Sequence, residues 1–90
     1  MKRILVVEDD VMLNSGLCYN LELDAYKAVP AHDAAAALEK IRDKTFDLVI
    51  MDVNLPDGDG FELCKKISAA RDIPIIFLTA RDLEADVVKG

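Results

Sequence analysis

Three short apolar runs constrain the fold of this chain most strongly. They are Ile4–Val7, Leu48–Met51 and Pro74–Leu78, and none of them alternates with polar residues. An unalternated run of this length is typical of a strand that is covered on both faces, as in a parallel sheet. A weaker run, Tyr26–Val29, contains a lysine and is predicted to be an edge strand.

Helical patterns fill the segments between these runs. Apolar residues recur at helical spacing in three places: Leu13, Leu17 and Leu21; Ala34, Leu38 and Ile41; and Leu63 and Ile67. Asp10 and Asp33 are predicted N-caps, and 56–60 is predicted to be a turn whose glycines can take backbone angles that other residues avoid. A further helix is predicted to begin near Asp82. This alternation predicts an α/β fold in which right-handed crossovers build a three-layer parallel sandwich.

The composition restricts the class of protein. The chain has 90 residues, of which 52% are hydrophobic, and no stretch approaches the ~20 apolar residues of a membrane span. The apolar run after Arg3 is too short for a signal peptide, so a cytoplasmic location is expected. The net charge of −6 opposes binding of nucleic acid or anionic lipid by this domain itself. Cys18 and Cys64 lack a metal or redox spacing and are predicted to be buried or half-buried thiols rather than a disulfide.

Acidic side chains stand where two of the predicted strands end. Glu8, Asp9 and Asp10 follow the first apolar run, and Asp52 follows Met51. The carboxyl ends of neighbouring parallel strands form the crevice where such folds bind ligands, so these acids are expected to converge. Oxygen ligands alone favour a hard cation such as Mg²⁺. Helix capping explains the first acidic group equally well, and the residues alone leave both interpretations open.

The end of the third strand suggests phosphoryl chemistry. Asp52 ends a wholly apolar strand, a position that is costly for a carboxylate unless it is bound or hydrogen-bonded. A carboxylate can attack phosphorus and hold the phosphoryl group as an acyl phosphate. Thr79 ends the fourth strand and is a candidate hydroxyl donor to that group. The segment 79–82 also has the form of a helix cap, so the role of Thr79 stays open at this level.

Three segments in order, 4–10, 47–60 and 74–80, resemble the receiver domain of two-component response regulators, and the resemblance extends over the whole chain. It implies a flavodoxin-like parallel sheet with strand order 2-1-3-4. It also implies that Asp52 is the phosphoacceptor and that Thr79 is the switch hydroxyl. Glu8 and Asp9 are then Mg²⁺ ligands, together with Asp52 and the backbone carbonyl of Asn54.

The resemblance also implies partners and an output. A sensor histidine kinase donates the phosphoryl group, and the receiver catalyses only its own phosphorylation and dephosphorylation, so it is not otherwise an enzyme. Transcriptional regulation is the implied output. The family's fifth strand, its lysine and its last helix are expected past Gly90, and Lys89 is interpreted as a solvated helix residue rather than as a substitute for that lysine. Residues 1–90 are therefore expected to be a partial receiver domain, impaired in switching and phosphorylated poorly by themselves.

Several alternatives follow from the same residues. The unpaired edge of the fourth strand predicts self-association or exchange of elements, so the chain could serve as an interaction module that is not phosphorylated. A phosphohydrolase with a strand-end Asp nucleophile is a second alternative, but such enzymes carry an acid two residues later, where this chain has Asn54. A flavin carrier of the same topology is disfavoured, because Glu8, Asp9 and Asp10 would repel the phosphate of the cofactor.

Overall fold

The computed structural model describes residues 2–78. Four strands form the central sheet: β1 (Arg3–Val7), β2 (Lys27–Ala31), β3 (Leu48–Met51) and β6 (Ile75–Phe77). Three helices connect them: α1 (Val11–Leu23), α2 (Ala34–Asp43) and α3 (Gly60–Ala70). Two short strands, β4 (Asn54–Leu55) and β5 (Gly58–Asp59), form an antiparallel hairpin before α3. No helix within residues 2–78 is both long and apolar enough to cross a membrane.

The central sheet is parallel throughout, with the strand order β2-β1-β3-β6. The predicted order 2-1-3-4 is therefore confirmed, with β6 as the fourth strand of the sheet. The strand β2 is an edge strand, as its lysine indicates. In the register of β1 against β3, Val7 is paired with Met51, so both strands end at the same level.

The apolar runs form the centre of the protein. Leu5, Val49 and Met51 have no exposed surface and belong to one cluster with side chains of α2 and α3, among them Ile41 and Ile67. The burial of β1, whose last four residues are all buried, explains why its sequence does not alternate. A strand in this setting contacts apolar neighbours on both faces, so a polar residue is tolerated only where the strand ends.

The helix α1 differs in orientation from the sequence pattern. The pattern predicts that Leu13 faces inward with Leu17 and Leu21, but Leu13 is 41% exposed and its neighbour Asn14 is fully buried. Leu17 and Leu21 are half-buried. One helical residue corresponds to a rotation of about 100°, so a preference for burying Asn14 turns Leu13 toward solvent. The helix itself is confirmed, but its inward face is not the predicted one.

The carboxyl end of α1 forms a backbone motif with an unusual residue. The amide of Ala25 donates to the carbonyl of Glu22, and the amide of Tyr26 donates to the carbonyl of Leu21, which is the bond pattern of a Schellman motif. Ala25 has φ 69° and is the one non-glycine residue with positive φ in the described part of the chain. Glycine usually occupies this position, because a Cβ atom crowds the left-handed conformation.

The predicted helix caps are confirmed, and the glycines of the predicted turn do not use the backbone angles that are open to them. The side chain of Asp10 accepts from the amide of Leu13, and that of Asp33 accepts from the amide of Ala36. No glycine within residues 2–78 has positive φ. The turn at 56–60 is instead built by the β4–β5 hairpin, and Gly60 is required for space rather than for its backbone angles.

Candidate functional site

The three predicted acids meet at the carboxyl edge of the sheet. Glu8 and Asp9 follow β1, and Asp52 follows β3, the strand paired with β1. The amide of Asp52 continues that pairing by donating to the carbonyl of Val7 at 2.9 Å. As a result, one carboxylate oxygen from each of the three acids lies within 4.8 Å of the others. This convergence over a separation of 43 positions is the arrangement that the strand ends predict.

The three carboxylates differ in their surroundings. Glu8 is only 5% exposed, Asp52 is half-buried and Asp9 is exposed. The pKa of the Glu8 carboxyl is raised to about 7, chiefly by burial and also by the neighbouring carboxyls of Asp9 and Asp52, against the opposing effect of the Asp10 amide. The site therefore holds negative charge at a place where water does not stabilise it fully.

The chemistry of this donor set fits a hard divalent cation. In residues 2–78 one salt bridge is present, between Lys65 and Glu62, so no described lysine or arginine neutralises the three clustered acids. Their donor atoms are all oxygens, which match the preference of Mg²⁺. A dication among them would remove the mutual repulsion that raises the pKa of Glu8.

The loop that carries Glu8 and Asp9 is held by short-range hydrogen bonds. The amide of Asp10 donates to Glu8 Oε2 at 2.9 Å, and Asp10 Oδ1 accepts from the amide of Leu13 at 3.1 Å. Asp10 therefore caps α1 and also orients the Glu8 carboxylate. The prediction that Asp10 caps the helix is therefore confirmed, and Glu8 and Asp9 direct their carboxylates to the cluster.

The segment after Asp52 is packed closely against it. The amide of Asn54 donates to Asp52 Oδ1 at 3.2 Å and so orients that carboxylate. The amide of Gly60 donates to the carbonyl of Val53 at 2.7 Å. A Cβ atom at Gly60 would lie 2.5 Å from the carbonyl oxygen of Asp52. A glycine is therefore needed where α3 begins, because any larger residue would displace the backbone that carries Asp52.

Asp57 joins this segment to α2. It lies at the tip of the β4–β5 hairpin, and its carboxylate accepts from the amides of Ala34 and Ala35 at 2.8 and 3.0 Å. These bonds lower the pKa of Asp57. The amino end of α2 thus has two carboxylate partners, Asp33 from its own chain segment and Asp57 from the loop beside the site.

Sequence reasoning did not identify Asn14, Asp57 or the steric role of Gly60. A buried asparagine in a helix has no periodic signature, and the partners of Asp57 are 22 and 23 positions away. The Pro56–Gly60 segment signals a turn, but not what the turn contacts. Thr79, the predicted hydroxyl donor, lies outside the described residues, as do Lys89 and the helix predicted from near Asp82.

The strand order and the acidic cluster at the carboxyl edge of the sheet are those that the resemblance to receiver domains implies. The model of the response regulator receiver domain family matches residues 4–90, and the chain belongs to that family.

Its relatives agree with this assignment. The chain is 42% identical over 90 residues to the alkaline phosphatase synthesis transcriptional regulatory protein PhoP of Bacillus subtilis, covering 99% of this chain and 38% of PhoP. The non-phosphorylated HemR receiver domain of Leptospira biflexa superposes with a TM-score of 0.83 at 43% identity, over 89% of this chain and 65% of that one. The chain thus spans less than half of the curated relative that it matches.

A second similar structure contains a kinase. It is a complex of the histidine kinase ThkA with the response regulator protein TrrA, and it superposes with a TM-score of 0.83 at 37% identity. The match covers 89% of this chain and 70% of that one. Two-component response regulators are therefore the class to which both sequence and structure point.

Proposed function

We propose that the chain is a phosphoacceptor: Asp52 receives a phosphoryl group while Glu8 and Asp9 hold Mg²⁺ beside it. The observation that carries the proposal is the convergence of the three carboxylates within 4.8 Å at the ends of two paired strands. Membership of the receiver family supports it. The carbonyl of Asn54 is proposed as a fourth ligand, since its residue is fixed to Asp52 by the bond from its own amide.

In the proposed reaction, a carboxylate oxygen of Asp52 attacks the phosphorus of a phosphohistidine. The new O–P bond forms as the N–P bond breaks, and the electron pair of that bond stays on the imidazole nitrogen, which takes a proton. Bound Mg²⁺ supplies neutralisation of the charge that gathers between the carboxylate and the phosphoryl oxygens. The amide of Asn54 keeps the Asp52 carboxylate oriented during the approach.

Thr79 is proposed to donate its hydroxyl to the phosphoryl group. Support comes from its neighbour Leu78, whose amide donates to the carbonyl of Met51 at 2.8 Å. Met51 directly precedes Asp52, so Leu78, the residue before Thr79, is hydrogen-bonded next to the site. A hydrogen bond between the hydroxyl and a phosphoryl oxygen would favour one of two conformations of the receiver. This shift in population is how phosphorylation would be converted into a signal.

A sensor histidine kinase is the proposed donor. The similarity to a response regulator solved with a histidine kinase supports this partner. Transcriptional regulation is the proposed output, by analogy with PhoP of Bacillus subtilis, and the cytoplasm is the proposed location. Residues 1–90 would then form the first part of a receiver domain, since they cover 65% of the HemR receiver domain.

A small phosphodonor tests the Mg²⁺ dependence of this function. The full natural polypeptide should be incubated with phosphoramidate, whose N–P bond resembles that of phosphohistidine, and the incorporated phosphate should be measured with Mg²⁺ and with EDTA. We expect labelling with Mg²⁺ and little without it. The Glu8→Gln variant should be labelled slowly at all Mg²⁺ concentrations, whereas Glu39→Gln, an exposed change in α2, should resemble the wild type. Labelling that is unaffected by EDTA would contradict the proposal.

A further inference from the structure

Asn14 is a polar residue in the interior of α1 with no exposed surface. Its side-chain nitrogen lies 3.1 Å from the carbonyl oxygen of Val6, 3.0 Å from that of Glu8 and 3.2 Å from that of Ala31. Carbonyl oxygens only accept hydrogen bonds, so the NH₂ group of the amide must face them. The remaining oxygen of the amide accepts from the thiol of Cys18 at 3.3 Å, which fixes the same orientation.

These bonds join three parts of the fold at one point. Val6 and Ala31 belong to the carboxyl ends of β1 and β2, and Glu8 begins the acidic loop. The carbonyl of Ala31 also accepts from the amide of Glu8 at 3.0 Å. The backbone amide of Glu8 is therefore bonded to β2, and its backbone carbonyl is bonded to the side chain of Asn14.

The next residues of the loop are held in the same way. The backbone amide of Asn14 donates to the carbonyl of Asp10 at 2.9 Å, and the amide of Asp10 donates to the Glu8 carboxylate. Asn14 thus bonds the loop at both its first and its last residue. The backbone of Asp9 lies between these two fixed points.

We propose that Asn14 is a positioning residue, which fixes the backbone of the loop from which Glu8 and Asp9 direct their carboxylates toward the cation. The inference rests on the proposed function. Three carboxylates held within 4.8 Å repel one another when no cation is present, so a loop without this bond would relax and separate them. Groups that orient metal ligands in this way typically contribute about 10- to 100-fold to metal affinity.

The test compares the Mg²⁺ affinity of three purified forms of the full natural polypeptide by calorimetric titration, with MgCl₂ as the probe. Asn14→Leu keeps the branching and the number of side-chain heavy atoms but removes the donor, and we expect its Kd for Mg²⁺ to rise about 10-fold or more. Ile41→Val is the control for stability, because it removes one methylene group from the core next to α2. Ile41→Val should lose stability but bind Mg²⁺ as the wild type does.

The outcomes separate this inference from the function on which it rests. A wild type that binds no Mg²⁺ would overturn the proposed function and the inference together. A wild type that binds, with an Asn14→Leu variant that folds and binds as tightly, would overturn the role of Asn14 alone. If Asn14→Leu does not fold, Asn14→Ser replaces it in the test, since it retains one hydroxyl donor but cannot reach three carbonyls. We expect a smaller loss of affinity for Asn14→Ser, and wild-type affinity in that variant would equally contradict the inference.

Discussion

Glu8 shows how one residue couples the stability of the fold to the site. Its pKa is raised from 4.5 to about 7, so in the metal-free folded chain the carboxyl keeps a proton at pH values where the unfolded chain has lost it. Between these two values the folded state binds more protons than the unfolded state, and the free energy of unfolding therefore falls as pH rises. A shift of this size corresponds to about 3 kcal/mol.

Replacing this carboxyl should stabilise the fold and remove the function. In EDTA at pH 8 we expect Glu8→Gln to raise the free energy of unfolding by up to about 3 kcal/mol, because the amide carries no charge to bury. The gain should shrink as pH falls and should vanish below 4.5, where the wild-type carboxyl is protonated in both states. Urea unfolding at several pH values measures it, with Glu39→Gln as the exposed control. A Glu8→Gln variant less stable than the wild type at pH 8 would contradict this account of the site.

The sequence predicts the clustered acids but not the residues that hold them in place. Glu8, Asp9 and Asp52 were predictable because each follows an apolar strand, and parallel strands bring their ends together. The burial of Glu8 beside the exposed Asp9 was not predictable, because it depends on where the loop turns. Asn14 was missed because the leucine spacing of α1 favours a different inward face. The inward face of α1 is set by the bonds of Asn14 to three backbone carbonyls, which come together only in the folded protein.

At the scale of elements, the end of α1 is strained at one residue. Ala25 adopts φ 69° to complete the Schellman motif, at a cost of about 1–2 kcal/mol for a residue with a Cβ atom. We expect Ala25→Gly to raise the free energy of unfolding by about 0.5–1 kcal/mol, since the gain is partly offset by the greater freedom of glycine in the unfolded chain. Urea denaturation measures the change. Ala69→Gly, at an exposed helical position of α3, should instead lower the free energy of unfolding. A loss of stability in both variants would contradict the strain assigned to Ala25.

The hairpin beside the site stabilises α2. The carboxylate of Asp57 accepts two amides of the first turn, and these bonds lower its pKa, so they stabilise the fold above the ordinary pKa of 3.8. We expect Asp57→Asn to lower the thermal midpoint at pH 7. The difference from the wild type should disappear as pH falls through the lowered pKa, because the wild-type carboxyl is then protonated. Asp72→Asn, an exposed change between α3 and β6, is the control. Equal thermal midpoints for Asp57→Asn and the wild type would contradict a stabilising role of the Asp57 hydrogen bonds.

The elements themselves were largely predictable. Strands β1, β3 and β6 follow from their unalternated apolar runs, and the caps of α1 and α2 follow from Asp10 and Asp33. The β4–β5 hairpin was not predicted, because two strands of two residues each carry no periodicity. Its importance comes from Asp57, whose partners are far away in the sequence.

Considered as a whole, the sheet formed by residues 2–78 ends at β6. Within residues 2–78 no strand pairs with the outer edge of β6, where Ile76 is 53% exposed. An apolar strand of this kind is a template for pairing with another chain. We predict that a polypeptide of residues 1–90 alone self-associates through this edge. Light scattering over a range of concentrations tests this, and Ile76→Lys should shift the population toward monomer. A wild-type polypeptide that stays monomeric at high concentration would contradict the prediction.

We propose that the fold brings its acids together so that Asp52 can hold a phosphoryl group. The most direct measurement is the intact mass of the full natural polypeptide after treatment with acetyl phosphate and Mg²⁺, compared with the Asp52→Asn variant. We expect the wild type to gain the mass of one phosphoryl group and the variant to gain none. A wild type that gains no mass, or an Asp52→Asn variant that gains as much as the wild type, would contradict it.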